Sequence, residues 1–304
     1  MRRGFFTAWL YLLAVGLVFA FATPGYTQKS SDYVGSDTCK GCHEDAFKSY
    51  AKNVHGKKFV PGSPETGQGC EACHGPGKNH VDKGGGKGTI MAFNKGEGSA
   101  QKSGTCLACH ESGKQITYWN MGKHKAEGVT CDQCHSGHST SKFNLKAKDP
   151  ELCFRCHQDI RLQTNKQSHH PIRDGKMNCS SCHTPHGGFG KHAIKADSNN
   201  ELCFKCHAEK RGPFMSEHPP VEENCLNCHT PHGSNHNTML VSKTPQLCQA
   251  CHDWSRHPGT VYNSFNTFRG ASPSNRMVGR NCLLCHSNIH GGNGPAEKGP
   301  FFLR

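Results

Sequence analysis

Beyond residue 22 this 304-residue chain has no apolar run approaching the ~20 residues that a membrane-spanning helix needs. Core-forming side chains are scarce as well. Leu, Ile, Val and Phe together number 38 in the 282 residues after Ala22, about 13%. No stretch alternates apolar and polar residues as a half-buried strand would. Basic residues form no dense patch, and Lys57, Lys58, Lys142, Lys146, Lys148 and Arg211 are scattered along the chain. The first absence excludes a helical membrane domain from this portion. The second excludes a self-sufficient hydrophobic core, because such a composition with a net charge of +11 (34 basic minus 23 acidic) belongs with disordered chains. The last argues against nucleic acid as a partner.

Cysteine and histidine, by contrast, are abundant and ordered. All 20 cysteines fall in ten Cys-x-x-Cys-His motifs. The first five are Cys39/Cys42/His43, Cys70/Cys73/His74, Cys106/Cys109/His110, Cys131/Cys134/His135 and Cys153/Cys156/His157. The second five are Cys179/Cys182/His183, Cys203/Cys206/His207, Cys225/Cys228/His229, Cys248/Cys251/His252 and Cys282/Cys285/His286. A disulfide framework gives no reason for a histidine after every second cysteine, and zinc sites do not require that register. A thioredoxin-like pair would occur once, near a βαβ pattern. The motif is the attachment site of c-type haem, in which two thiols add to the vinyl groups and the next imidazole meets the iron from one face.

Ten haems change the folding arithmetic. Each brings a large apolar disc and two tethers, so the core is expected to be haem stacked on haem beneath a thin wrapping of polypeptide. The expected fold is an elongated multihaem cytochrome c, mostly irregular, with short helices centred on the motifs and an apoprotein that does not fold. The 35 Gly and 16 Pro suit tight loops passing close over cofactors. Each ferric haem with two ionised propionates adds about −1, so ten roughly cancel the basic balance.

Thirteen histidines remain outside the motifs, and they keep a register. Consecutive motifs pair into five units, at about 37–81, 105–140, 150–190, 200–236 and 245–292. Each unit reads motif, histidine, motif, histidine. The third has ELCFRCH, SHHP with His170, and CSSCHTPHG with His186; the fourth has ELCFKCH, EHPP with His218, and CLNCHTPHG with His232. Such self-similarity, at 46 to 50 residues, marks an internal repeat. The first unit offers His55 and His80, the second His124 and His138, the fifth His257 and His290.

Ten candidate distal ligands thus stand beside ten proximal ones. Bis-histidine iron is six-coordinate and low-spin, closed to substrate and low in potential. His138, His186 and His232 follow a proximal histidine by only three residues, too close to reach the opposite face of the same haem, so each is expected to serve a neighbour. His169, His192 and His236 are left over. The methionines share no register and read as packing.

Met1–Ala22 reads as an export signal: Arg2 and Arg3, then Phe5–Ala22, apolar apart from Thr7 and ending in the Ala20-Phe21-Ala22 cleavage site, with an uncleaved anchor as the alternative. Residues 23–304 then form the exported decahaem domain. Asp82–Gly104 and Pro258–Arg280 read as surface loops.

The stretch LCFKCHAEKRGPFMSEHPPVEENCLNCHTPHGS (Leu202–Ser234), with PQLCQACH, CLLCHSNIHG and EACHGPGKNH, resembles the MtrA/DmsE/PioA family of decahaem cytochromes over nearly the whole exported chain. That resemblance implies a periplasmic electron-transfer protein, not an enzyme, seated in an outer-membrane β-barrel porin. It implies electron exchange between periplasmic or inner-membrane cytochromes and an outer-surface multihaem cytochrome or terminal reductase. The external process would be metal or dimethyl sulfoxide reduction, or iron oxidation in reverse. A compact 282-residue globule has a radius of gyration of about 19 Å, comparable in span to a membrane core of about 30 Å. Large barrels can hold a plug, and a plug needs no lipid-facing apolar band. The alternatives are a soluble periplasmic shuttle or store, and a multihaem reductase; the latter needs one open iron, which ten matched ligand pairs do not leave.

Overall fold

The computed structural model describes residues 30–93, 99–190, 192–252, 281–294 and 302. The export signal, His257 and the Pro258–Arg280 loop lie outside the described residues. Two compact units are present: Met1–Gly98 with Gly137–Thr140, and Ser99–Ser136 with Ser141–Arg304.

Among the described residues there is no strand, only isolated bridges. Helices are short, the longest being Ser99–His110 and Glu44–Lys52. None is long and apolar enough to cross a membrane. The buried apolar side chains among the described residues are Tyr50, Trp119 and Ile172 alone. Three side chains cannot offset the conformational entropy of a chain this long, at about 1–2 kcal/mol for each ordered backbone residue. The missing apolar surface is what haem supplies.

Two local plans alternate along the repeats. At odd-numbered motifs a short helix such as Glu151–Phe154 or Asn199–Phe204 carries the first cysteine, and in the first and fifth motifs the proximal histidine caps another: His43 opens Glu44–Lys52 and His157 opens Gln158–Gln163. After the fourth, sixth and eighth motifs, though not after the second, where His74 closes the helix Glu71–His74, the chain instead leaves extended, with ψ of 157° at His135 and 153° at His183. It then folds back, so that His135 bridges Leu145, His183 bridges Ile194 and His229 bridges Leu240.

Successive repeats are joined by further bridges, Ser168 with Ser234 and Ser216 with Gly292. Glycine is required where backbones meet. A Cβ on Gly187 would stand 2.3 Å from the Tyr118 carbonyl oxygen, and one on Gly233 2.3 Å from that of Gln163. Both glycines have positive φ, and both end a CHTPHG string.

In the first unit the buried Glu71 carboxylate accepts the N–H groups of Val34, Gly35 and Gly77 at 2.7–3.2 Å. It ties the segment before the first motif to the second. Elsewhere Asp149 accepts from Cys179 and Ser180 at 2.9 Å, and Asn200 accepts from Cys225 at 2.7 Å.

Candidate functional site

Among the described residues, eight proximal histidines are seen to face a second imidazole. The pairs are His43 with His80, His74 with His138, His135 with His186, and His157 with His124. The others are His183 with His232, His207 with His170, His229 with His290, and His252 with His218. Their ring centroids lie 5.8–6.4 Å apart. A metal–imidazole bond runs about 2.0–2.1 Å and a ring centroid lies roughly 1.1 Å behind its nitrogen, so two imidazoles on opposite sides of one metal stand about 6.3 Å apart. The spacing fits an iron between each pair.

These pairs use sixteen of the expected ligands. The other four are His55, His110, His286 and His257, the last beyond the described residues.

Protonation fits as well. Nδ1 of His74 donates to the Met91 carbonyl, and those of His135, His183 and His229 donate to Phe143, His192 and Thr238, all at 2.8 Å. Among the second rings, His124 and His170 donate to the carbonyls of Pro185 and Pro231 at 2.8 and 2.7 Å, and His80 pairs with the Thr89 hydroxyl at 2.7 Å. A proton fixed on Nδ1 leaves the Nε2 lone pair for a metal and orients the ring. Burial, reinforced by the facing imidazole, lowers the pKa of His138, His186, His218 and His232. Burial likewise lowers that of His290, with Lys210 and His229 adding to the effect. Neutral rings are the ones that bind metal. His218 Nδ1 is buried and points toward Ile289 without making a hydrogen bond.

The pairing follows a rule that register alone does not reveal. A histidine between two motifs faces the odd-numbered motif of the next unit, as His124 faces His157, His170 faces His207 and His218 faces His252. A histidine trailing an even-numbered motif faces the even-numbered motif of the preceding unit, as His138 faces His74 and His290 faces His229. At the front of the chain the rule gives way, and His80 faces His43 within one unit.

The anchoring sulfurs form a second series. Cys39 lies against Cys70, Cys106 against Cys131, Cys203 against Cys225, and Cys248 against Cys282. Cys153, Cys179 and the Asp149 carboxylate lie within 4.8 Å of one another. Between repeats, Cys134 neighbours Cys153 and Cys156, Cys182 neighbours Cys206, and Cys228 neighbours Cys251. From the third motif to the tenth the anchors therefore follow one another in sequence order.

The two sulfurs of a motif are not equally covered, a difference that ten identical motifs do not foretell. The second cysteine of every odd-numbered motif is exposed: Cys42, Cys109, Cys156, Cys206 and Cys251. In the even-numbered motifs Cys73, Cys134, Cys182 and Cys228 are half-buried, and Cys285 alone departs by being exposed. Backbone explains much of the contrast. The returning segment closes on the even cysteine, with the N–H groups of Lys146, Lys195 and Val241 donating at 2.8–2.9 Å to the carbonyls of Cys134, Cys182 and Cys228. Cys73 is covered differently, by the neighbouring Tyr50. Cys42, Cys109 and Cys285 thus stand outside the packed sulfur series, and their place as anchors rests on the motif rather than on tertiary contact.

Some contributions were not legible beforehand. Asp82–Gly104 is more than a surface loop: its Met91 carbonyl holds His74, and Phe93 meets the same ring edge-on at 5.4 Å. His192 serves through its backbone carbonyl, while His169 donates from Nδ1 to Lys166 at 2.6 Å. Backbone acceptors carry no side-chain signature, so only the eight- or nine-residue offset after an even-numbered motif could have hinted at them.

Comparison with known proteins agrees with this architecture. A family pattern described as a doubled CXXCH motif matches residues 124–162, 169–212 and 218–257. The chain is 24% identical over 182 residues to the cytochrome c-type protein NrfB of Haemophilus influenzae, covering 56% of this chain and 76% of that one. With the multiheme cytochrome MtrC of Shewanella baltica it shares 26% identity over 186 residues, 46% of this chain and 27% of that one. With the multiheme cytochrome MtrA of Shewanella baltica it shares 40% identity over 284 residues, 91% of this chain and 83% of that one. The chain carries covalently attached haem c, for which 20 cysteines provide ten sites, and its work is electron transfer. Identity at that level over nearly the full length, on the same repeated motifs, makes it a member of the MtrA family of multihaem c-type cytochromes.

Proposed function

We propose that this chain conducts electrons through ten bis-histidine haems, as the periplasmic subunit of a porin–cytochrome conduit across the outer membrane. The observation that carries the reading is the set of facing histidine pairs at iron-bridging distance. With both faces of the iron taken, no position is left for a substrate, so the chemistry is electron exchange alone. Similar axial fields on successive irons keep reorganisation small. The sulfur series supports a path in sequence order, because porphyrins tethered at adjacent sulfurs are held beside one another.

In this reading the twenty cysteines form the thioethers, the exposed Cys42, Cys109 and Cys285 included. Each motif histidine is a proximal ligand, and the facing histidines are distal. His55 and His257 complete the ligand set with His110 and His286. The partners are a large β-barrel, an outer-surface multihaem cytochrome or terminal reductase, and electron-donating cytochromes on the periplasmic side. The kinship with MtrA supports that assembly.

The test is reconstitution. Holoprotein isolated with the outer-membrane fraction is expected to co-purify with a large barrel. Placed in liposomes with that barrel, it is expected to pass electrons from an external reductant to an enclosed acceptor dye, and liposomes without the barrel are expected to stay dark. A monomer that never associates with a barrel would overturn the conduit in favour of a soluble shuttle. A ferric spectrum containing high-spin iron would overturn the closed ligand set.

A further inference from the structure

The eight imidazole pairs are not alike in the angle between their rings. Five lie close to parallel, at 13–29°. Two are intermediate, His124 with His157 at 54° and His170 with His207 at 45°. His74 and His138 stand apart at 86°.

This crossing has identifiable causes on both sides. The plane of His74 is set by segment 91–93. Its Nδ1 donates to the Met91 carbonyl at 2.8 Å, the Met91 N–H returns to the His74 carbonyl at 3.2 Å, and the Phe93 ring meets the imidazole at 81°. The plane of His138 is set by the helix Glu44–Lys52 and the turn at 53–55. The buried Tyr50 ring lies 6.0 Å from His138, and its hydroxyl donates to the His55 carbonyl at 3.0 Å. The buried Asn53 side chain donates to the carbonyl of Ser139, next to His138. Turning His74 would break its bond to the Met91 carbonyl, and turning His138 would disturb its backbone hydrogen bond at Ala46 and its contact with the Tyr50 ring.

The angle matters through orbital symmetry. An axial imidazole donates π density into the iron d orbital perpendicular to its ring. Two parallel rings act on the same orbital and split the dxz/dyz pair, whereas two crossed rings act on different orbitals and leave the pair nearly degenerate. A ferric hole gains from a raised orbital that can hold it, so crossed rings stabilise the ferric state less and raise the reduction potential. The choice of axial ligands is not the only means by which a protein tunes a haem; the way its surroundings fix those ligands is another.

We propose that Phe93 and Tyr50 are positioning residues that hold the His74 and His138 rings crossed, making the haem on Cys70/Cys73 electronically distinct from its parallel-ligand neighbour on Cys39/Cys42 and higher in potential. This rests on the bis-histidine reading above. A step of this kind at one unit gives the electron a preferred resting place there.

The test is low-temperature electron paramagnetic resonance of the oxidised holoprotein during a redox titration. Wild type is expected to show a low-field, highly anisotropic low-spin line, lost on reduction ahead of the bulk of the ordinary low-spin signals. Phe93→Ala is expected to shift one haem's share of that intensity into the ordinary signals and lower that haem's potential, with ten haems still bound. Phe93→Tyr, which keeps the ring, is expected to retain the wild-type line. An entirely low-spin wild-type spectrum without the anisotropic line would overturn the crossing and leave the bis-histidine reading intact. High-spin iron, or a near-infrared methionine–iron band, would instead overturn the bis-histidine reading. An unchanged line in Phe93→Ala would remove the role given to Phe93.

Discussion

After the first and fifth motifs the proximal histidine opens a helix; after the fourth, sixth and eighth it runs into an extended segment that folds back as a bridge. At the even positions the returning segment delivers a carbonyl to the proximal Nδ1, as Phe143 does for His135 and Thr238 for His229. A helix start offers no such carbonyl, and at the fifth and seventh motifs the partner ring is the anchored one, through Pro185 for His124 and Pro231 for His170. Two backbones thus meet the same demand, that an axial imidazole be held in one tautomer. They meet it from opposite sides of the iron. The even plan carries strain: Phe143, Asn144, Ala193, Thr238 and Met239 all have φ of 45–58° without being glycine. A left-handed non-glycine residue costs about 1–2 kcal/mol, a cost the repeated contact with the proximal ring offsets.

The largest expected effect removes both plans together. With three buried apolar side chains among the described residues, the chain expressed without haem attachment is expected to lack cooperative structure. Circular dichroism and limited proteolysis would show this, and a protease-resistant apoprotein would contradict the haem-built core.

Next come the distal rings. His186→Ala empties one face at an even position, and His170→Ala does so at an odd one. Each is expected to turn about one iron in ten high-spin and able to bind carbon monoxide. Absorbance titration with the gas counts the sites, and a variant that stayed fully low-spin would show that its histidine is not a ligand.

A smaller effect separates Asp149 from Asn200, which make equivalent contacts to the even motifs of successive units. Burial raises the Asp149 pKa, but hydrogen bonds from the Ser180 and Cys179 N–H groups outweigh it and hold the carboxyl below its usual range. With the folded pKa depressed, its contribution is full above the unfolded value of about 3.9 and is lost as pH falls through the folded value. Asp149→Ala is expected to cost about 1–3 kcal/mol in denaturant melts at pH 7, by leaving two N–H groups without an acceptor. Asp149→Asn is expected to cost less and to remove this site's share of the acid sensitivity.

The smallest effect tests the strain. Thr238→Gly is expected to stabilise the holoprotein by at most about 1 kcal/mol, because the relief of left-handed backbone is partly cancelled by a more flexible unfolded chain. A thermal melt that fell instead would mean the Thr238 hydroxyl matters more than its φ.

Much of this site is local chemistry and was therefore legible in the residues. Ten motifs specify covalent haem, and the near-identity of CSSCHTPHG and CLNCHTPHG shows where a second histidine and a close-packed glycine recur. The spacing of His186 from His183 already directs it to another haem. What could not be read is which haem, because that depends on contacts such as Ser168 with Ser234 that join segments some sixty residues apart. Nor could the Met91, Phe143 and His192 carbonyls be read, since every residue has one. The unequal cover of Cys109 and Cys134 was equally hidden, since it depends on where the chain returns after the motif. Glu71 lies inside a motif, and the motif carries no sign of its three backbone donors, which come from Val34, Gly35 and Gly77.

The sequence by itself determined the cofactor and the repeat, because attachment needs only residues within five positions of one another. It determined the low apolar content that makes haem the core. Only the tertiary structure decided that His124 faces His157, that His138 faces His74, and that this last pair is crossed. Those outcomes depend on backbone carbonyls, aromatic edges and bridges brought together from distant parts of the chain, and none of them leaves a mark on the residue at which it acts.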